Sequence, residues 1–72
     1  MLPKGKKLRV SGRIHSTYLG EPYCEILVGS RGQVRCLVDP DSTRGRLLYP
    51  GNEVTIVGVY DGEAVRGRIV EG

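Results

Sequence analysis

At 72 residues the chain has room for one domain, and a domain of this size buries only about 60% of the surface its unfolded chain exposes, so its core is thin. A net charge of +3 fits an anionic partner without the strong basicity of a chromatin protein, and no apolar run approaches the roughly 20 residues that span a bilayer. The charged start, Met1 to Lys7, is followed by no apolar segment of signal-peptide type, so a cytoplasmic, membrane-free protein is expected.

Alternation of apolar and polar residues predicts five strands, over 7–15, 23–28, 33–38, 53–60 and 64–70, and nothing of comparable length reads as helix. No repeat or linker divides the chain, which predicts a single domain over 1–72 with a flexible start at 1–6. In the first strand Leu8, Val10, Gly12 and Ile14 share one face, and Lys7, Arg9, Ser11, Arg13 and His15 the other. His15 ends that strand as a solvated polar residue, and Tyr18 follows in the first loop.

The second and third strands put Cys24, Ile26, Val28, Val34, Cys36 and Val38 inward. They leave Tyr23, Glu25, Leu27, Gln33, Arg35 and Leu37 outward. A two-residue turn at Ser30-Arg31 sets Ile26 opposite Arg35 and mixes the faces, so a longer or bulged loop is predicted. One register so allowed brings Cys24 opposite Cys36. A cross-strand disulfide is one reading of that pair, and two small buried apolar side chains is the preferred one. With His15 as the sole histidine these cysteines do not complete a four-ligand zinc site, and neither metal nor cofactor is expected.

In the connection over 39–52, Asp39 or Asp41 caps a short helical turn ending near Leu48, and Leu47 or Leu48 plugs one end of the barrel. Tyr49, beside Pro50, is expected to pack this connection down. Asp61-Gly62 then signals a type I′ hairpin. That turn pairs Val54 with Ile69, Ile56 with Gly67 and Gly58 with Val65 on the inner face, and Thr55 with Arg68 and Val57 with Arg66 on the outer. Tyr60 falls inward. Gly12, Gly58 and Gly67 suit strands that coil sharply at barrel corners.

The chain has one histidine, no serine elbow, no paired carboxylates at strand spacing and no glycine-rich phosphate loop, so binding rather than catalysis is expected. Lys7, Arg9, Arg13, Arg35, Arg66 and Arg68 point outward, whereas most acids lie in loops. Arg35 beside Tyr23, fed by Arg9 and Arg13, suits phosphates, with bases stacking on Tyr23 or Tyr18. The same cations also solubilise a small barrel and guard its edges. Outward Leu27, Leu37, Val57 and Val59 support an alternative, a protein-interaction or structural module in a larger assembly, if they form one patch.

The stretches Leu8-Arg9-Val10-Ser11-Gly12-Arg13-Ile14, Gln33-Val34-Arg35-Cys36 and the run from Tyr49-Pro50-Gly51 through Val54-Thr55-Ile56-Val57-Gly58 to Asp61-Gly62 resemble the OB-fold families grouped as tRNA-anticodon-binding-like proteins. The resemblance covers nearly the whole chain. It implies an all-β, five-stranded Greek-key barrel of OB type with a short helical turn or loop between strands 3 and 4. It also implies binding of single-stranded DNA or RNA on the face of the second and third strands, and it carries no catalytic residue. With four Tyr and neither Phe nor Trp, the expected binding is weak, salt-sensitive and little dependent on base sequence.

Overall fold

The computed structural model describes residues 2–72. Strands β1 (Lys7–Tyr18), β2 (Cys24–Val28), β3 (Val34–Val38), β4 (Glu53–Tyr60) and β5 (Val65–Glu71) form a closed barrel in the order β1-β2-β3-β5-β4, with a 3-10 turn at Pro40–Thr43 between β3 and β4. The all-β barrel read from the alternation is thus the fold of the protein. Its core consists of Ile14, Ile26, Val28, Val38, Val54, Ile56, Val65 and Ile69 with Cys24 and Cys36, all from the faces assigned inward.

β1 runs past His15 to Tyr18 because it serves two neighbours. Its first half pairs with β4, from Lys7 opposite Val59 to Arg13 opposite Glu53. Its second half pairs with β2, from Ile14 opposite Val28 to Tyr18 opposite Glu25. An irregularity between Ile14 and Ser16 separates the two halves. The extra residue breaks the two-residue period there, so the alternation stops short of the true strand end.

The last hairpin departs from the predicted register by two positions. Ile56 faces Ile69, Gly58 faces Gly67, and Val57 and Val59 face Arg68 and Arg66. A type I′ turn needs positive φ at two adjacent residues, but among Asp61 to Ala64 only Gly62 has it. Instead the Asp61 carboxylate oxygen Oδ1 accepts from the Glu63 and Ala64 amides at 2.8 and 2.9 Å, and the Asp61 amide donates to the Ala64 carbonyl. The side chain of Asp61 thereby stabilises a wider loop. A shift of two residues preserves the faces from Ile56 to Tyr60. Thr55, expected outward opposite Arg68, instead faces Glu71 across a further irregularity and is buried, its hydroxyl bonded to that of Ser11 at 2.9 Å.

Between β2 and β3 the longer loop is found. It sets Ile26 opposite Cys36 and Cys24 opposite Val38. The register that would juxtapose Cys24 and Cys36 is not adopted, and both are free, buried thiols. Burial pushes the Cys36 thiol up to about 12.

Asp39 caps the 3-10 turn by accepting from the Asp41 amide at 3.0 Å, but the turn ends at Thr43, well before Leu48. Leu48 packs on the core, while Leu47 and Tyr49 remain exposed. Tyr49 is 53% exposed and does not hold the connection down as expected. That task falls to Ser42 and Arg46. Ser42 Oγ accepts from the Ile69 amide at 3.1 Å, Arg46 Nη2 donates to the Ile69 carbonyl at 3.5 Å, and Arg46 Nε donates to the Ser42 carbonyl at 2.8 Å. β3 pairs with β5 only as far as Gly67, so these side chains satisfy the strand edge beyond it.

Candidate functional site

Closure of the barrel decides which outward side chains become neighbours. One row across the outer face reads Lys7, Val59, Arg66, Leu37, Glu25, and the next reads Arg9, Val57, Arg68. Adjacent strands lie about 4.8 Å apart and same-face residues about 7 Å apart along a strand. Lys7, Arg9, Arg66 and Arg68 therefore frame a patch of roughly 10 by 7 Å on β1, β4 and β5, with Val57 and Val59 at its centre.

Arg35 and Arg13 lie outside this array. β3 sits between β2 and β5, so Arg35 faces Leu27 and its guanidinium pairs with Glu25. Arg9 and Arg13 belong to the half of β1 that pairs with β4, and they do not flank Arg35. Arg13 pairs with Glu53 at 3.8 Å. Tyr18, placed in a loop by the alternation, is the exposed end of β1.

Tyr23 stands immediately before β2, 45% exposed. The Arg66 guanidinium lies over its ring, 5.4 Å from the centroid, and Arg66 Nε donates to Asp61 Oδ2. Arg66, held by Asp61 within the last hairpin, thus joins that hairpin to the residue before β2. The Arg66 hydrogen bond, followed by the Ala64 and Glu63 amides, holds the Asp61 carboxyl well below the usual carboxylate range, and the same contact raises Arg66. One face of Tyr23 is therefore occupied. The guanidinium and the free face of the ring are both surfaces on which a base stacks.

Charge on the patch is unevenly neutralised. Arg9 pairs with Glu71 at 3.2 Å, a solvent-exposed contact of the kind that contributes little and exchanges readily, whereas Arg66 is held by Asp61. Lys7 and Arg68 make no ion pair among the described residues, so they meet an incoming anion directly.

Leu27, Leu37 and Val57 are half-buried, and only Val59 is 45% exposed. Leu37, Val57 and Val59 alternate with cations and do not form an apolar patch of their own. Other large exposed apolar side chains lie elsewhere, at Tyr18 ending β1, at Leu19 just after it, and at Leu47 and Tyr49 in the β3–β4 connection. Thr17 Oγ1 donates to the Leu48 carbonyl at 3.3 Å and ties those two segments together. No period marks this group in the sequence, because loop residues carry none. Among the described residues no three His, Cys, Asp or Glu side chains converge, and no helix is long and apolar enough to cross a membrane. No family model, curated protein or solved structure matches the chain.

Proposed function

We propose that this chain is a binding module of OB type that takes single-stranded DNA or RNA along the outer face of β1, β4 and β5, with no catalytic step. The observation that carries the reading is the array of Lys7, Arg9, Arg66 and Arg68 around Val57 and Val59, with Arg66 laid over Tyr23. Cations on both flanks suit a phosphate backbone, and the valines and the guanidinium-on-tyrosine surface suit base faces, which are planar and apolar whatever the base. An acidic peptide uses the cations and leaves the planar surface idle. Neutralised phosphates release counterions, so binding weakens as salt rises, by about 0.7 in the logarithmic slope for each contact on a single strand.

A second reading, a protein-interaction module within an assembly, rests on the exposed group Tyr18, Leu19, Leu47 and Tyr49. Titrating isotope-labelled protein with short single-stranded DNA and RNA at two salt concentrations separates the two. Amide shifts at Lys7, Arg9, Tyr23, Arg66 and Arg68 that shrink with added salt are expected. Absence of shifts at low salt and micromolar protein overturns the nucleic-acid reading, and slower tumbling with rising protein concentration alone favours the second.

A further inference from the structure

Where the segment before β1 meets the last hairpin lies a cleft of about 420 Å³ lined by Leu2, Pro3, Lys4, Tyr60 and Gly62. Backbone pairing builds it. The Gly5 amide donates to the Tyr60 carbonyl at 2.7 Å, and the Tyr60 amide donates to the Lys6 carbonyl at 3.3 Å, so the segment before β1 continues along the end of β4. The Tyr60 hydroxyl donates to the Gly62 carbonyl at 2.9 Å and fixes the ring against the last hairpin. Gly62, at φ +102°, stands at the mouth beside Lys4: a Cβ there would lie 3.6 Å from Lys4 Cδ and Cε and 3.9 Å from its Nζ.

We infer that this cleft receives one unpaired base of the strand bound on the array. The inference rests on the nucleic-acid reading above. Three features select the occupant. The volume falls at the small end of ligand pockets, enough for a base and its sugar and too little for an extended peptide. The walls are largely apolar, with Tyr60 as the aromatic surface. The segments 2–7 and 60–66 carry four cations, Lys4, Lys6, Lys7 and Arg66, against Asp61 and Glu63, so the mouth is charged to hold the flanking phosphates. Tyr60 and the array's Val59 are neighbours on opposite faces of β4, so a strand lying beside Lys7 and Arg66 reaches the cleft by turning one base over the barrel end, where Gly5 and Lys6 pair with Tyr60.

The test compares a short oligothymidylate with an abasic phosphodiester of equal length and charge, at low salt, on the wild-type protein and on Leu2→Ala. Oligothymidylate is expected to shift the Tyr60 and Gly62 amides as well as the array, whereas the abasic strand shifts the cations of the array and the mouth without Tyr60 and Gly62. Leu2→Ala should weaken oligothymidylate by about fivefold, the low end of what one stacked base contributes, and leave the abasic strand unchanged. Shifts on the array without shifts at Tyr60 and Gly62 overturn the cleft and leave the binding face standing. Equal shifts in the cleft from both strands also overturn it, because phosphate alone then explains them. No shift anywhere defeats the nucleic-acid reading itself. Because Leu2 packs against the core, thermal unfolding of Leu2→Ala is measured alongside, and the wild-type comparison of the two strands decides the matter if that variant unfolds.

Discussion

Gly58 and Gly67 face each other where β4 and β5 cross most closely, and Gly67→Ala tests how tightly that crossing holds the barrel closed. A Cβ built on Gly67 falls onto the Val57 carbonyl and the Gly58 Cα, and one on Gly58 falls onto the Arg66 carbonyl, all of them backbone atoms that no rotamer change moves aside. The strands must separate. Overpacking of this kind costs about 1 to 3 kcal/mol. Two weakened ladder hydrogen bonds add about 1 kcal/mol each. The sum, roughly 3 to 5 kcal/mol, compares with a total stability of about 4 to 11 kcal/mol for a chain of this length. Gly67→Ala should therefore be largely unfolded or melt far below wild type in thermal and denaturant unfolding followed by circular dichroism. Gly32→Ala is the matched control, because a Cβ there meets nothing within 4 Å, and its midpoint should stay within about 1 kcal/mol of wild type. A Gly67→Ala protein as stable as Gly32→Ala would refute the close approach and the register built on it.

Three further outcomes follow from individual contacts. Asp61, its carboxyl depressed by Arg66 and the loop amides, stabilises the fold at pH values above the ordinary carboxylate pKa of 3.8, and that contribution disappears as the pH falls toward the depressed value. The gap in melting temperature between wild type and Asp61→Asn should therefore narrow below about pH 4, and a constant gap from pH 7 to pH 2 contradicts the assignment. Ser42→Ala removes the partner of the Ile69 amide and should cost about 1 to 2 kcal/mol while speeding hydrogen exchange at Ile69; unchanged exchange there denies the clasp over β5. Cys36, buried and with its thiol raised to about 12, should resist a thiol reagent at pH 8 until the protein unfolds, and rapid native labelling would contradict its placement in the core.

The faces of the strands were legible because facing is a property of alternation, and Ile14, Ile26, Val38, Ile56 and Ile69 carry it plainly. Pairing was less so. The last register turns on the Asp61 side chain bonding two amides of its own loop, a choice that the Asp-Gly dipeptide alone does not reveal. The length of β1 was hidden by the irregularity after Ile14, which interrupts the period that the reading depends on. The outward cations were each legible, but their grouping was not. Whether Arg9 stands near Arg35 or near Arg68 depends on β5 entering the sheet between β3 and β4, a long-range closure. Likewise, nothing local in Tyr23 or Arg66 announces that the guanidinium lies over the ring, since Leu37 of β3 intervenes in the row.

Whether β1, β4 and β5 present the binding face is read from the salt dependence of single-strand affinity. Four phosphate contacts, at Lys7, Arg9, Arg66 and Arg68, predict a slope of log K against log salt of about −2.8, falling to about −1.4 in Lys7→Ala/Arg68→Ala. Arg35→Ala and Arg13→Ala, outside the array, should leave the slope unchanged. A slope unaffected by the double substitution would remove the binding face from β1, β4 and β5, and one reduced instead by Arg35→Ala would move it to β2 and β3.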